Sequence, residues 1–360
     1  MAVMTKSGLV VKHVRSKIAA GTWLRGTKLP ADQFIQSELG VSRTAVREAF
    51  SALANEGLIV RRQKAGTFVS EETKEGIVAI FCPVENLTSS KGYFYQTCVS
   101  EAQKLIKAAG YRAVLTVGHG PTTEAFCEST HLFDQPIRNQ ILGVISIGGI
   151  GELRKQIEAA GLYCVCSQDD THNVNTVILS HEQVVKMGVE FLKSRGHSDF
   201  ALMYCDSPQD EHEDPSELRR KRIEQWVESC GITLKKERFL PVPLQKGERM
   251  AAYDIFRRFW SSTDRPRAIL FADDVLCEIS GRAIVDLGIQ VPQELSVITH
   301  SNNCHEINFP VPLTRVEFEI KELINAAFYM LQNMIISHKK EQPFVKIYPK
   351  IIEGKSVMYA

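Results

Sequence analysis

The feature that most constrains this chain is an alternation that starts at Gly76 and runs almost to its last residues. Short apolar, β-prone runs at 77–81, 113–117, 143–147, 163–166, 175–179, 200–204, 268–271 and 296–299 are mostly separated by stretches with helical spacing. In one such stretch Ala102, Leu105 and Ile106 share a helical face, and Gly110 follows as a stop. Strand–helix alternation is the pattern of parallel sheets covered on both faces by helices. The 285 residues from 76 to 360 exceed what one such sheet needs, so two lobes are expected. Ligands in such folds bind beyond the carboxyl ends of the strands.

Composition narrows the class. The chain has 360 residues, 44% apolar and 24% charged, which excludes a collagen-like, disordered or disulfide-scaffold protein. No apolar run approaches the roughly 18–20 residues that span a bilayer. The first six residues, MAVMTK, lack the charged-then-apolar layout of an export signal. Nine scattered cysteines, an odd number, read as reduced thiols. A cytoplasmic location is expected.

The net charge of +1 hides an asymmetry. Residues 1–70 hold five Lys and six Arg against one Asp and three Glu, a net +7, which leaves −6 for the remainder. A basic head on an acidic body suggests that the head alone meets an anion. The alternative is a solvated surface with no partner.

The head reads as three helices and a two-stranded wing. Val11, Val14 and Ile18 share one helical face, and Gly21 follows. Residues 29–32 open a second short helix with Phe34, Ile35 and Leu39, closed by Gly40. Ser42 is a suitable N-cap for a third helix. There Ala45, Val46, Ala49 and Leu53 face inward, and Arg43, Thr44, Arg47 and Glu48 lie toward the other side. Residues 58–60 and 67–69 are short β runs joined by a basic segment. A helix fits the DNA major groove, and its first residues reach base edges. Arg43 and Arg47, four apart, share a face from which an arginine can take guanine O6 and N7 together. Thr44 and the helix-start N–H groups suit phosphate oxygens. Gly66 allows close backbone approach at a wing tip that carries Lys64.

Residues 26–30, 39–49, 53–59 and 66–69 (GTKLP, LGVSRTAVREA, LANEGLI and GTFV) resemble the GntR-type winged helix-turn-helix. The resemblance covers residues 7–70. It implies DNA contacts from Ser42, Arg43, Thr44 and Arg47 on the recognition helix, and from Lys64, Gly66 and Thr67 in the wing. Ala31 and Gln33 depart from the family's usual Ser and Arg, which removes a helix cap and a phosphate or base contact.

Enzyme motifs in the body are incomplete. Gly149 and Gly151 follow a strand, but Arg154 stands where a dinucleotide loop needs its next glycine. Gly354-Lys355-Ser356 lacks the leading glycine of a phosphate loop, because Pro349 is there. His300, Cys304 and His305 match no strong zinc spacing. Cys164 and Cys166 face one side of a strand and read as packing. Asp273-Asp274 is a carboxylate pair at a strand end with no nearby partners in sequence. No catalytic residue, metal or cofactor is expected.

The body resembles the LacI-type sensor domain, which has a periplasmic-binding-protein-like fold. The resemblance rests on 77–80, 92–95, 143–146, 191–197, 265–269, 287–298 (LGIQVPQELSVI) and 312–316 (PLTRV). The whole chain resembles the arabinose-repressor class of bacterial regulators. This implies an α/β protein in which a small winged helix-turn-helix domain precedes a two-lobed domain with parallel sheets. The implied boundaries are 1–70 for the head, 71–75 for a charged linker and 76–360 for the sensor. Lobe one would hold 76–167 and 312–339, and lobe two 168–311 and 340–360. The implied effector contacts are Arg219, Asp273 with Asp274, and the aromatic residues Tyr93, Phe94 and Tyr95. Ser301 and Gln168 are further implied effector contacts, although Ser301 and Ser180 stand where the family commonly has aspartates and Gln168-Asp169 where it has Asp-Arg.

The expected protein is a repressor of carbohydrate-utilisation genes that binds a partly palindromic operator on double-stranded DNA as a homodimer, gated by a small polar effector such as a sugar. Two other readings stay open: a constitutive DNA-binding regulator with a degenerate sensor, and a sugar or nucleotide enzyme with a basic head.

Overall fold

The structure is a computed structural model that describes residues 5–19, 22–24, 26–55, 58–62, 65–70, 76–89, 91–118, 140–149, 153–167, 174–206, 215–243 and 250–360. Lys64, Gln168, Gly151 and the linker 71–75 lie outside them. The chain forms two compact units. One holds 1–89, 95–177 and 324–345; the other holds 90–94, 178–323 and 346–360.

The first unit begins with α1 (Lys6–Ala19), α2 (Asp32–Leu39) and α3 (Arg43–Asn55), followed by the antiparallel pair β1 (Ile59–Arg62) and β2 (Gly66–Val69). The inward positions of α3 are buried as the spacing requires, and Phe50 joins them at 0% exposure. Ser42 Oγ accepts from the Ala45 N–H at 3.2 Å, which caps α3. Ala31 makes no side-chain cap on α2. Gly40 ends α2 in the left-handed region at φ +61°, where an L side chain is strained. The wing has more support than its two runs suggest. Lys28 bridges Phe68, and the Leu29 N–H donates to Thr67 O at 2.8 Å.

The same unit continues with β3 (Ile77–Pro83), α4 (Val84–Thr88), α5 (Gly92–Ala108, whose first residues belong to the second unit), β4 (Arg112–Gly118), β5 (Ile141–Ile147), α6 (Leu153–Ala159), β6 (Tyr163–Ser167) and β7 (Thr176–Leu179). Their sheet has the order β13-β7-β6-β5-β3-β4, where β13 is Val345–Ile347. β3 to β7 pair in parallel. Residues 77–82 are all buried, as expected for a parallel strand covered on both faces. Cys164 and Cys166 pack into this core beside Ile77 and Phe81, so their shared face is a packing face.

The second unit contains α7 (His181–Ser194), β8 (Ala201–Asp206), α8 (Pro215–Ser229), β9 (Phe239–Pro243), α9 (Ala251–Ser261), β10 (Ala268–Phe271), α10 (Asp274–Asp286), β11 (Ser296–Asn302) and β12 (Thr314–Phe318). Helix α11 (Ile320–Ser337) follows and passes into the first unit at Ile324. The second sheet has the order β14-β12-β11-β10-β8-β9, with β14 (Lys350–Ile352) the antiparallel member.

These sheets correct the expected lobe boundaries. The resemblance implies lobe one for residues 314–318, but β12 pairs in parallel with β11, with Ile298 opposite Thr314. It implies lobe two for residues 345–347, but β13 lies in the first sheet. β7 also extends that sheet beyond 167, through Cys166 opposite Thr176. Lateral hydrogen bonds decide which sheet a strand joins, and a strand's own residues carry no mark of its neighbour.

Gly354-Lys355-Ser356 is a structural tie. The buried Ser356 hydroxyl donates to Val297 O at 2.6 Å and accepts from the Thr314 N–H at 2.8 Å.

Candidate functional site

The head presents the first candidate surface. Arg43, Thr44, Arg47 and Glu48 are exposed along one side of α3. Neither Arg43 nor Arg47 forms an ion pair among the described residues, the nearby Glu48 included. The opposite side of α3 is locked into the head's core by Val46, Phe50 and Leu53, which fixes the orientation of the exposed row. At the wing, Gly66 has φ +114°, and a Cβ there would come within 2.8 Å of Lys28 Cε. Thr67 is half-buried in β2. The Arg62 guanidinium lies 4.8 Å from the Phe68 ring centre, a cation–π contact that holds this charge on the wing.

The second candidate site is a polar cluster in the second unit, at the carboxyl ends of β10 and β11. Asp273 ends the turn after β10 and caps α10, accepting from the Val275 and Leu276 N–H groups at 3.0 and 3.4 Å. Its second oxygen accepts from Lys91 Nζ at 2.5 Å. Burial alone would raise the Asp273 carboxyl; the Lys91 ammonium outweighs it and holds the group well below the usual carboxylate range. Burial likewise opposes the Lys91 charge, and Asp273 overcomes it, so the ammonium is held charged above its ordinary range. Asp274 accepts from the Asn302 amide at 3.1 Å and from the Val275 N–H at 3.0 Å. It also accepts from the Tyr93 hydroxyl, whose pKa is pushed up by burial and then by the Asp274 charge. The Tyr93 ring lies 4.3 Å from that of His305, and His305 Nε2 is 3.2 Å from Glu278.

Two histidines complete the cluster. His300 is 4% exposed, and neither of its ring nitrogens has a hydrogen-bond partner among the described residues. Its ring centre is 6.0 Å from that of His181 and 5.7 Å from that of Phe318. Burial lowers the His300 imidazole pKa; His181, whose side chain reaches the surface, is lowered by desolvation against the cluster and then by the neighbouring His300. Both rings are therefore neutral near pH 7, each with one donor and one acceptor nitrogen. Arg219, exposed on α8, is close enough for its charge to act on His181 and Cys205.

The structure brings together some of the expected effector residues and separates others. Asp273, Asp274 and Tyr93 meet, and Arg219 stands near His181. Phe94 is buried beside them in sequence, at 6% exposure. Ser301 lies one step along β11 from His300, and successive side chains alternate across a strand. Its hydroxyl donates to Asn302 O and approaches Glu317 Oε2, each at 3.4 Å, so His300 and Asn302 rather than Ser301 meet the aspartates. Lys91, His181, His300 and Asn302 were not foreseen. They come from separate stretches of chain, and only the position of His300 beside Ser301 hinted at any of them. Among the described residues no group of three or more His, Cys, Asp or Glu is arranged to hold a metal ion.

A winged three-helix head with an exposed cationic helix, joined to a two-sheet body with a polar cluster at its strand ends, defines a DNA-binding transcriptional regulator with a ligand-sensing body. Residues 6–69 match the gntR family of bacterial regulatory proteins, and residues 189–357 match the periplasmic binding protein-like domain. The chain therefore carries a gntR-type DNA-binding domain followed by a periplasmic-binding-protein-like domain. It is 22% identical over 353 residues to the arabinose metabolism transcriptional repressor of Halalkalibacterium halodurans, covering 94% of this chain and 91% of that protein. It is also 22% identical over 351 residues to the transcriptional repressor PurR of Pectobacterium atrosepticum, covering 96% of each. In fold it is similar to the lac repressor dimer bound to operator and the anti-inducer ONPF, with a TM-score of 0.61 at 17% identity, covering 79% of this chain and 95% of that one. These relatives are regulators, not enzymes.

Proposed function

We propose that this protein is a cytoplasmic repressor of carbohydrate-utilisation genes that binds a two-half-site operator as a homodimer and is gated by a small polar effector. The observation that carries the reading is the exposed row Arg43, Thr44 and Arg47 on a helix capped by Ser42. In this reading those four residues contact the major groove and its phosphates, and Lys64, Gly66 and Thr67 contact the backbone beside it. The dimer's two-fold symmetry then sets the operator's palindromy. That no helix among the described residues is long and apolar enough to cross a membrane is consistent with this location. Duplexes selected in vitro by the full chain should share an inverted repeat and bind in a gel-shift titration with strong salt dependence. Selection that enriches no common sequence would sink the reading.

The effector site in this reading is the strand-end cluster. Asp273, Tyr93, Phe94 and Arg219 frame it. His181 and His300 offer neutral donor–acceptor pairs suited to hydroxyl groups. The name of the Halalkalibacterium relative makes L-arabinose the first probe. Calorimetry of the full chain against L-arabinose and other neutral sugars should find one that binds and shifts operator affinity.

A second reading, a regulator whose sensor no longer responds, is favoured by one observation. Both strand-end aspartates are engaged by Lys91, Tyr93, Asn302 and backbone N–H groups, which leaves few carboxylate acceptors for a ligand. Silence across the sugar panel, with operator binding intact, would select it.

A further inference from the structure

The first unit holds a contact that neither site uses. The Arg15 guanidinium on α1 lies 4.7 Å from the ring centre of Tyr329 on α11. Beside it is a small notch of ≈ 20 Å³, room for about one water, whose walls come from both parts of the unit. Ile18 and Leu58 of the head face Leu105 of α5 and Gln332 of α11 across it. All four are buried, Gln332 at 2% exposure. The head is thus seated on the first sheet's helices by an apolar patch with an arginine–tyrosine clasp at its edge.

Two details make this a separable contact rather than permanent core. Protein cores are packed to near-crystal density, and buried polar groups in them are satisfied. Here the notch is incompletely filled, and the Gln332 side-chain nitrogen has no hydrogen-bond partner among the described residues. Seating also leaves Arg43, Thr44 and Arg47 exposed, so the seated head keeps its recognition face free.

We propose that Arg15 and Tyr329 form a releasable latch that docks the DNA-binding head on the first sensor lobe, and that the docked head is the DNA-binding arrangement. In its DNA arm this rests on the reading given under Proposed function. Docking holds each head in a fixed place, so a dimer engages its second half-site as a pre-arranged, intramolecular event. Release leaves each head its own affinity but removes that advantage.

The test uses the full chain with Arg15→Ala, Tyr329→Ala and the conservative Tyr329→Phe, each checked for wild-type circular dichroism. Limited trypsin digestion reads release through the rate at which head and sensor are separated. The two alanine variants should be cut about fivefold faster, because cleavage tracks the population of the open form, and Tyr329→Phe should match wild type. Equal cleavage rates in all four proteins would overturn the latch whether or not the chain binds DNA. Gel shifts on an in vitro selected duplex supply the second arm. The alanine variants should bind the two-half-site duplex about tenfold more weakly and a single half-site unchanged. Equal losses on both duplexes would overturn the docked-head arrangement, since Arg15 would then act on DNA directly.

Discussion

On α3, Arg43, Thr44 and Arg47 stand exposed with no ion pair among the described residues. At the strand ends of the second unit, Lys91 is hydrogen-bonded to Asp273, and Asn302 and Tyr93 to Asp274. The first arrangement keeps its donors for an outside anion and asks the fold only for rigidity. The second answers its own charges, so a ligand gains only by doing better than the groups already there. Recognition by the head is additive, residue by residue, while recognition in the sensor is an exchange of partners.

The largest effect should come from removing the support of the exposed row. Phe50→Ala deletes a fully buried aromatic and should destabilise the head by about 3–5 kcal/mol, abolishing operator binding. Scanning calorimetry should show the sensor transition unmoved; a sensor that melts with the head would break the contrast. Next, Arg43→Ala and Arg47→Ala should each weaken selected-operator binding by about 1–3 kcal/mol without shifting the melting temperature, because both are exposed.

Asp273→Asn should reduce stability by about 1–2 kcal/mol, combining a weakened cap with a lost, partly screened ion pair. It should also flatten a pH dependence. The folded Asp273 pKa lies below the unfolded value of about 3.9. Its contribution is therefore present above about pH 4 and lost as pH falls through the folded value. Urea midpoints at pH 7 and pH 3 should differ less in the variant than in wild type. His300 adds a second acid-side window. Its folded pKa is lowered from about 6.5, so the unfolded chain takes up the proton first and stability declines as pH drops below that value. The smallest effect should be a gain. Ala31→Ser supplies the missing cap on α2 and should add about 0.5–1 kcal/mol to the head in urea titration.

The difference between the two regions also explains what could be read from the sequence. Ser42, Arg43, Thr44 and Arg47 lie on one helix, where a spacing of three or four residues sets which face each occupies, so cap, core and exposed row were legible. The strand–helix alternation was legible for the same local reason. The strand-end cluster joins positions 91, 93, 181, 273, 274, 300 and 302, and nothing local ties Lys91 to Asp273. Resemblance supplied Tyr93 and Asp273 but led to Ser301, where the strand's pleat puts His300 and Asn302 instead. The placement of β12 and β13 failed similarly, because pairing across a sheet leaves no trace in either strand alone. Lys28 as a partner for the wing was missed for that reason too.

The late strands have a consequence for the order in which the chain is made. β13 at 345–347 lies in the first sheet and β14 at 350–352 in the second, while Ser356 ties β11 to β12. Neither sheet can close until these residues have been synthesised, whereas the head needs only the first 70. At about 5–20 residues per second, the remaining 290 residues take about 15–60 s. During that interval the nascent chain carries a finished reading head ahead of its sensor, and a ribosome that stalls before residue 345 leaves a product in which neither sheet has all its strands.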